Sequence, residues 1–134
     1  MNVQAVMAEL ATTLDTIPGL RVYAYVPKTV AVPAAIVAWP EAVEYDATMG
    51  RGSDIFRIPV LVVVSDVTAR NAPTRLGEYV NGSGAKSVKA VLEAHAPTNY
   101  DALRVKSARM EPMTVGTVDY LAATFDLDII GPGA

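Results

Sequence analysis

DIFRIPVLVVVS, residues 54–65, is the stretch on which the reading of this chain turns. Its even positions, Phe56, Ile58, Val60, Val62 and Val64, are all apolar, and a period of two marks a strand with one buried face. Among its odd positions Arg57 and Pro59 give way to apolar Leu61 and Val63. The second face is therefore expected to be covered only toward the strand's end. Pro59 has no N–H to give to a ladder, which predicts a sheet edge or a neighbouring bulge.

A second strand of the same kind closes the chain. Over residues 120–130, Leu121, Ala123, Phe125, Leu127 and Ile129 share one face, with Tyr120, Thr124, Asp126 and Asp128 on the other. Before it, Leu103 to Met110 alternates with a change of phase between Val105 and Ala108, which predicts a bulge near Ser107. Gly116 and Thr117 mark the turn between the two. Upstream, Arg21 to Val26 alternates as a strand stopped by Pro27, and Ala34 to Trp39 is a strand fenced by Pro33 and Pro40.

Helical spacing appears in two places. Val3, Met7, Leu10 and Leu14, widened by Val6, predict an amphipathic helix over 2–16 that ends at Pro18-Gly19. From Thr68 to Ala96 the period is again helical: Leu76, Tyr79 and Val80 form a short stripe, and Asn81-Gly82-Ser83-Gly84 breaks it. Ser87 is placed to N-cap a following helix that carries Val88, Val91, Leu92 and His95 and stops at Pro97. The predicted order is helix, three strands, two helices, two strands. This describes an α+β fold with a mainly antiparallel sheet and helices packed on one face, in a single domain over residues 1–134. Leu10, Leu14, Phe56, Val60, Val62, Leu92 and Phe125 are its expected core.

Composition narrows the function. Charged residues are 19% of the 134, below the usual ~25%, which suits a surface partly covered by a partner. A net charge of −3 gives no basic field for nucleic acid. With no cysteine, disulfide scaffolds, thiolate zinc sites and thiol catalysis are excluded. The amino terminus lacks a basic n-region, and the longest apolar run, Ile58 to Val64, is far shorter than a membrane helix. A soluble protein made in a cytoplasm is expected.

No pattern assigns chemistry. GSGAKS, residues 82–87, has Ala85 and Val80 where a phosphate loop needs glycine, so it reads as an inter-helix turn. His95 is the one histidine and reads as a helix-end residue, not a metal ligand. Asp126 and Asp128, with Asp119 upstream, read as solubilising charges on a strand face or as partners of a neighbouring subunit's charges; no G-x-S-x-G elbow accompanies them. The segment from Glu41 to Ser53 is different. It is polar, carries Gly50 and Gly52, and is read as a loop or protruding hairpin tip at about 41–53. It mixes Tyr45, Met49 and Arg51 with acids, residue types enriched at interfaces. Tyr45, Met49, Arg51 and Asp54 are the candidate contacts with a neighbouring subunit or another assembly component. No catalytic, cofactor-binding or metal-binding residue is assigned.

The whole chain, read in order, resembles a known family. The segments are IPGLRVY (17–23), VPAAIVAWPEAVEYDATMGRG (32–52), the long strand, RLGEYVNGSGAKSVKAVLEA (75–94) and VDYLAATFDLDII (118–130). They resemble the tail terminator proteins of long-tailed bacteriophages, especially phages of actinobacteria. The resemblance implies a small α+β structural subunit that closes into a ring, typically of six, on the head-proximal end of the tail tube. It implies that the ring stops tube polymerisation and docks the head–neck complex. The implied location is the virion, after assembly in the host cytoplasm. Implied partners are further copies of itself, the tail tube protein and head–tail connector proteins, with DNA passing through the lumen unread. No cofactor or reaction is implied, and the family transfers no active-site residue. The competing expectations are a connector or head-closure protein of the neck and, from a different class, a small α+β enzyme or ligand-binding domain. The last would need a concave pocket with convergent polar groups.

Overall fold

A computed structural model describes residues 2–25, 33–45, 52–66, 70–115 and 117–132. The first helix, α1 (Val3–Leu14), starts where Asn2 Oδ1 accepts the Ala5 N–H at 3.0 Å, satisfying one of the donors every helix start leaves open. Its stripe of Val6, Met7, Leu10 and Leu14 is buried. Gly19, at φ +74°, turns the chain into the sheet, a conformation that costs glycine little. The strands β1 (Arg21–Tyr23), β2 (Ala34–Val37), β3 (Ala42–Glu44) and β4 (Ser53–Asp66) follow. Helices α2 (Ala72–Val80) and α3 (Val88–Ala94) come next, then β5 (Ala102–Val115) and β6 (Val118–Pro132). Ser87 caps α3 as expected: its Oγ accepts the Ala90 N–H at 3.1 Å and donates to the Asn81 carbonyl.

The molecule is α+β, with three helices and one six-stranded, mostly antiparallel sheet ordered β1-β2-β4-β6-β5, and with β3 also on β4. Two features correct the expected arrangement. The polar stretch after Pro40 contributes a strand, β3, which pairs through Val43 with Phe56, so four strands rather than three precede α2. The first two strands run parallel, Val22 opposite Ala35, so the sheet is mixed. Both are also shorter than expected: β1 ends at Tyr23, β2 ends at Val37, and Val26 lies outside the described residues.

Pro59 does not mark an edge, because β4 lies between β2 and β6. In an antiparallel ladder the N–H and C=O of one residue point the same way. The Pro59 and Arg57 carbonyls accept from Ala38 and Glu41 at 3.1 and 2.7 Å. Pro59 therefore lacks its N–H on the flank where β2 ends and β3 begins, and its ladder to β6 loses nothing. The bulge predicted near Ser107 is present: the β5–β6 register shifts between Val105 and Ser107. The extra residue, Lys106, resolves the change of phase. It sets Leu103 and Val105 opposite Ile129 and Leu127, and Ala108 and Met110 opposite Phe125 and Ala123, all on one face.

That face holds the main core. Leu10 and Leu14 of α1, Leu76 and Tyr79 of α2, and Val88 and Leu92 of α3 join the even residues of β4 and the odd residues of β6. All seven residues expected in the core are buried there. A second, smaller cluster lies on the opposite face: Ile36, Val63 and Ala122 are buried beneath Tyr23, Leu61, Met113 and Tyr120. No described helix residue belongs to it.

Candidate functional site

The four residues singled out for contact do not share one environment. Tyr45, just past β3, is 74% exposed. Asp54 lies at the start of β4 opposite Gly131 and is only 9% exposed. It therefore sits in the sheet where the β3–β4 connection re-enters it. Met49 and Arg51 lie outside the described residues. The arm itself is held by Arg57, whose guanidinium donates to Glu44 on β3 at 3.0 Å and lies 3.8 Å from Asp128 on β6.

Arg57 also opens a groove of about 430 Å³ on the face away from the main core. Glu41, Arg57, Lys106, Arg109, Asp126 and Asp128 line it, over a floor that includes Pro59. The register explains the grouping. Arg57 sits opposite Asp128, Pro59 opposite Asp126, and Ser107 opposite Asp126 from the other side. Asp126 accepts from Ser107 Oγ at 3.2 Å and lies 3.8 Å from Arg109. Asp126 and Asp128 are thus partnered within their own sheet, where the sequence offered a solvated face or the charges of a neighbouring subunit. The side chains of these ion pairs are about one-third to over one-half exposed, so water screens the pairs and each contributes little to stability.

Toward the other end of the same face the charges give way to the small apolar cluster around Ile36 and Val63. Tyr23 stacks edge-on against Tyr25, with centroids 6.0 Å apart, and Tyr25 is largely exposed. Trp39, beyond the end of β2, is also largely exposed. From Tyr23, Ile36 and Val63 the open face therefore grades to the charges around Arg57 and Asp126.

A second polar constellation went unrecognised in the sequence. Glu9, on α1, is buried, and its carboxylate accepts five hydrogen bonds. The donors are the Thr98 N–H and hydroxyl, the Asn99 N–H and side-chain amide, and His95 Nε2, at 2.8–3.1 Å. Burial alone would raise this carboxyl, but the bonds from Thr98, Asn99 and His95 outweigh it and hold it at about 2. The carboxylate ties α1 to the connection between α3 and β5. His95 caps the end of α3 and turns toward this acid. Nearby Tyr100 is buried with its hydroxyl unpaired, and burial, then the Glu9 charge, pushes it up to about 12. The available sequence signal was a glutamate on the apolar side of a helix, 86 residues from its histidine partner. No local pattern links the two.

Neither a protein-family model nor a curated protein matches the chain. Among the described residues no three His, Cys, Asp or Glu side chains are placed to hold a metal ion, and no described helix is long and apolar enough to cross a membrane. Glu9 is fully engaged by its own chain. What the open face can do is recognise: paired charges at one end give orientation, and aromatic and apolar side chains at the other give contact area.

Proposed function

We propose that this chain is a structural subunit of a bacteriophage virion. In this reading it is a tail terminator that assembles into a ring, typically of six, on the head-proximal end of the tail tube, halts tube growth and offers the docking surface for the neck. The chain acts without a reaction or cofactor of its own. Its partners are copies of itself, the tail tube protein and the connector proteins, and DNA crosses the lumen without being read.

The order of segments that resembles the terminator family supports this reading, and one structural observation carries it. The sheet is one-sided: three helices pack on one face, while the other carries a graded surface to which no described helix contributes. Its two flanks are also unlike, with β5 on one side and β1 and β3 on the other. Contacts built from unlike surfaces are head-to-tail, and such contacts close into rings when the rotation permits. A head–tail connector of the neck would use the same surface, and the position of the ring in the particle separates the two.

Three experiments test the proposal. Purified protein is measured by size-exclusion chromatography with light scattering, where a closed oligomer, or a monomer that caps purified tail tubes, is expected. Virions lacking the gene product are viewed by electron microscopy. Overlong tails without heads are expected of a missing terminator, whereas normal free tails beside closed heads would transfer the chain to the connectors. Tyr45→Asp should leave the melting temperature unchanged and weaken assembly. Normal tail length and titre in that variant would remove Tyr45 from the interface.

A further inference from the structure

The sheet has three strand edges among the described residues, and they differ in length. Two of them, β1 and β3, are three residues long, while β5 is fourteen. A long unpaired edge is a template for the strand of another molecule, and short edges are not. Protection is therefore needed on β5.

The ladder fixes which backbone groups of β5 face outward. The Val105 N–H is taken by Glu93 Oε2 from α3 at 3.0 Å, so Val105 points away from β6. Val105 lies opposite Leu127, and β6 alternates its hydrogen bonds between β4 and β5. Residues opposite Phe125, Ala123 and Leu121 must then point outward as well. They are Ala108, Met110 and Pro112. The parity agrees with the other side of the sheet, where the Arg57 and Pro59 carbonyls point away from β6.

We propose that the outer edge of β5 is guarded against strand addition by three devices: the Glu93 carboxylate over Val105, the bulge at Lys106, and Pro112. Glu93 occupies the donor that an incoming strand would seek first. Hydrogen bonds from Lys89 and then from the Val105 N–H keep its carboxyl below the usual range, so it stays an acceptor. The bulge twists the edge so that pairing cannot run through it. Pro112 removes an outward N–H and places its ring where a partner's carbonyl would lie. Between the bulge and Pro112, only Ala108 and Met110 present both donor and acceptor outward. Two such residues make too short a ladder to hold a second sheet. The guard does not depend on what the protein assembles with; it blocks backbone strand addition and open-ended sheet growth, and leaves side-chain contacts at that flank possible.

The test compares full-length variants with whatever assembly the wild-type chain forms. Glu93→Ala with Pro112→Val should grow beyond that assembly as concentration rises, read by light scattering and thioflavin T fluorescence. Glu93→Gln, whose amide oxygen still accepts from Val105, should behave as wild type. Adding Met110→Pro to the double variant should abolish the growth by removing the next outward N–H. Hydrogen exchange supplies a second readout: the Val105 amide should exchange at least about tenfold faster in Glu93→Ala than in Glu93→Gln. A folded double variant with the wild-type mass at every concentration overturns the proposal. If Glu93→Ala proves unfolded, Pro112→Val alone decides: growth that Met110→Pro reverses supports the guard, and no growth overturns it. Equal Val105 exchange in the alanine and glutamine variants removes Glu93 from the guard.

Discussion

The face of the sheet that carries Phe56, Val60, Phe125 and Leu127 is sealed by helices. The face that carries Arg57, Asp126 and Asp128, one residue along the same strands, keeps its charges about one-third to one-half exposed. Both are written in the same stretches of sequence and separated only by parity. On the sealed face most positions are apolar and the packing partners come from α1, α2 and α3. On the open face the partners come from the sheet itself, as cross-strand ion pairs at one end and a small tyrosine-covered cluster at the other. The sealed face therefore sets whether the chain folds, and the open face is free to vary with what the folded chain must meet.

The strongest challenge to that division is a truncation on each side. Phe125→Ala empties a site in the middle of the sealed face and should cost about 3–5 kcal/mol in chemical denaturation. Leu61→Ala, on the half-buried open side, should cost about 1 kcal/mol. Equal losses would mean that the open face is also a core.

Glu9 sharpens the comparison, because it is a buried and heavily engaged charge on the sealed side. Its folded carboxyl lies at about 2, against an ordinary 4.5. A depressed carboxyl contributes stability that is fully present above the unfolded value and is lost as pH falls through the folded one. The difference corresponds to about 3 kcal/mol, lost between pH 4.5 and pH 2. Glu9→Gln should flatten that part of the stability–pH curve. It should also lower stability at neutral pH by about 2–3 kcal/mol, since some of the five donors lose their acceptor. A variant that keeps the wild-type acid limb would show that other carboxylates produce it.

Legibility in the sequence follows the same parity. The long strands β4 and β6, the cap at Ser87 and the bulge beside Ser107 all leave local marks: a period of two, a hydroxyl before an apolar stripe, and a slip of phase. The strand β3 left none, because Ala42–Glu44 is three residues in a polar stretch and is held by its register with β4. Pro59 was misleading for a related reason. Proline forbids a donor on one side only, and the sequence does not say which flank that side faces. The Glu9 constellation was invisible, since its donors lie 86 to 90 residues away. The charged groove was half visible: Asp126 and Asp128 announce a polar face, but their arginines arrive from β4 and β5 only through register.

The smallest predicted effect concerns that groove. Arg109 and Asp126 lie 3.8 Å apart, and both are at least about one-third exposed. A double-mutant cycle of Arg109→Ala and Asp126→Ala should return a coupling of about 0.5 kcal/mol or less, fading as salt rises toward 1 M. Such a value means that these charges do not hold the sheet together and are available to orient a partner at little cost to the fold. If the open face is the surface that meets another subunit, the same two substitutions should leave the melting temperature nearly unchanged while slowing assembly, most clearly at low salt, where steering between charged surfaces is strongest. A coupling above about 1.5 kcal/mol would instead make the pair part of the sheet's own stability. The difference between the two faces would then be one of composition, not of role.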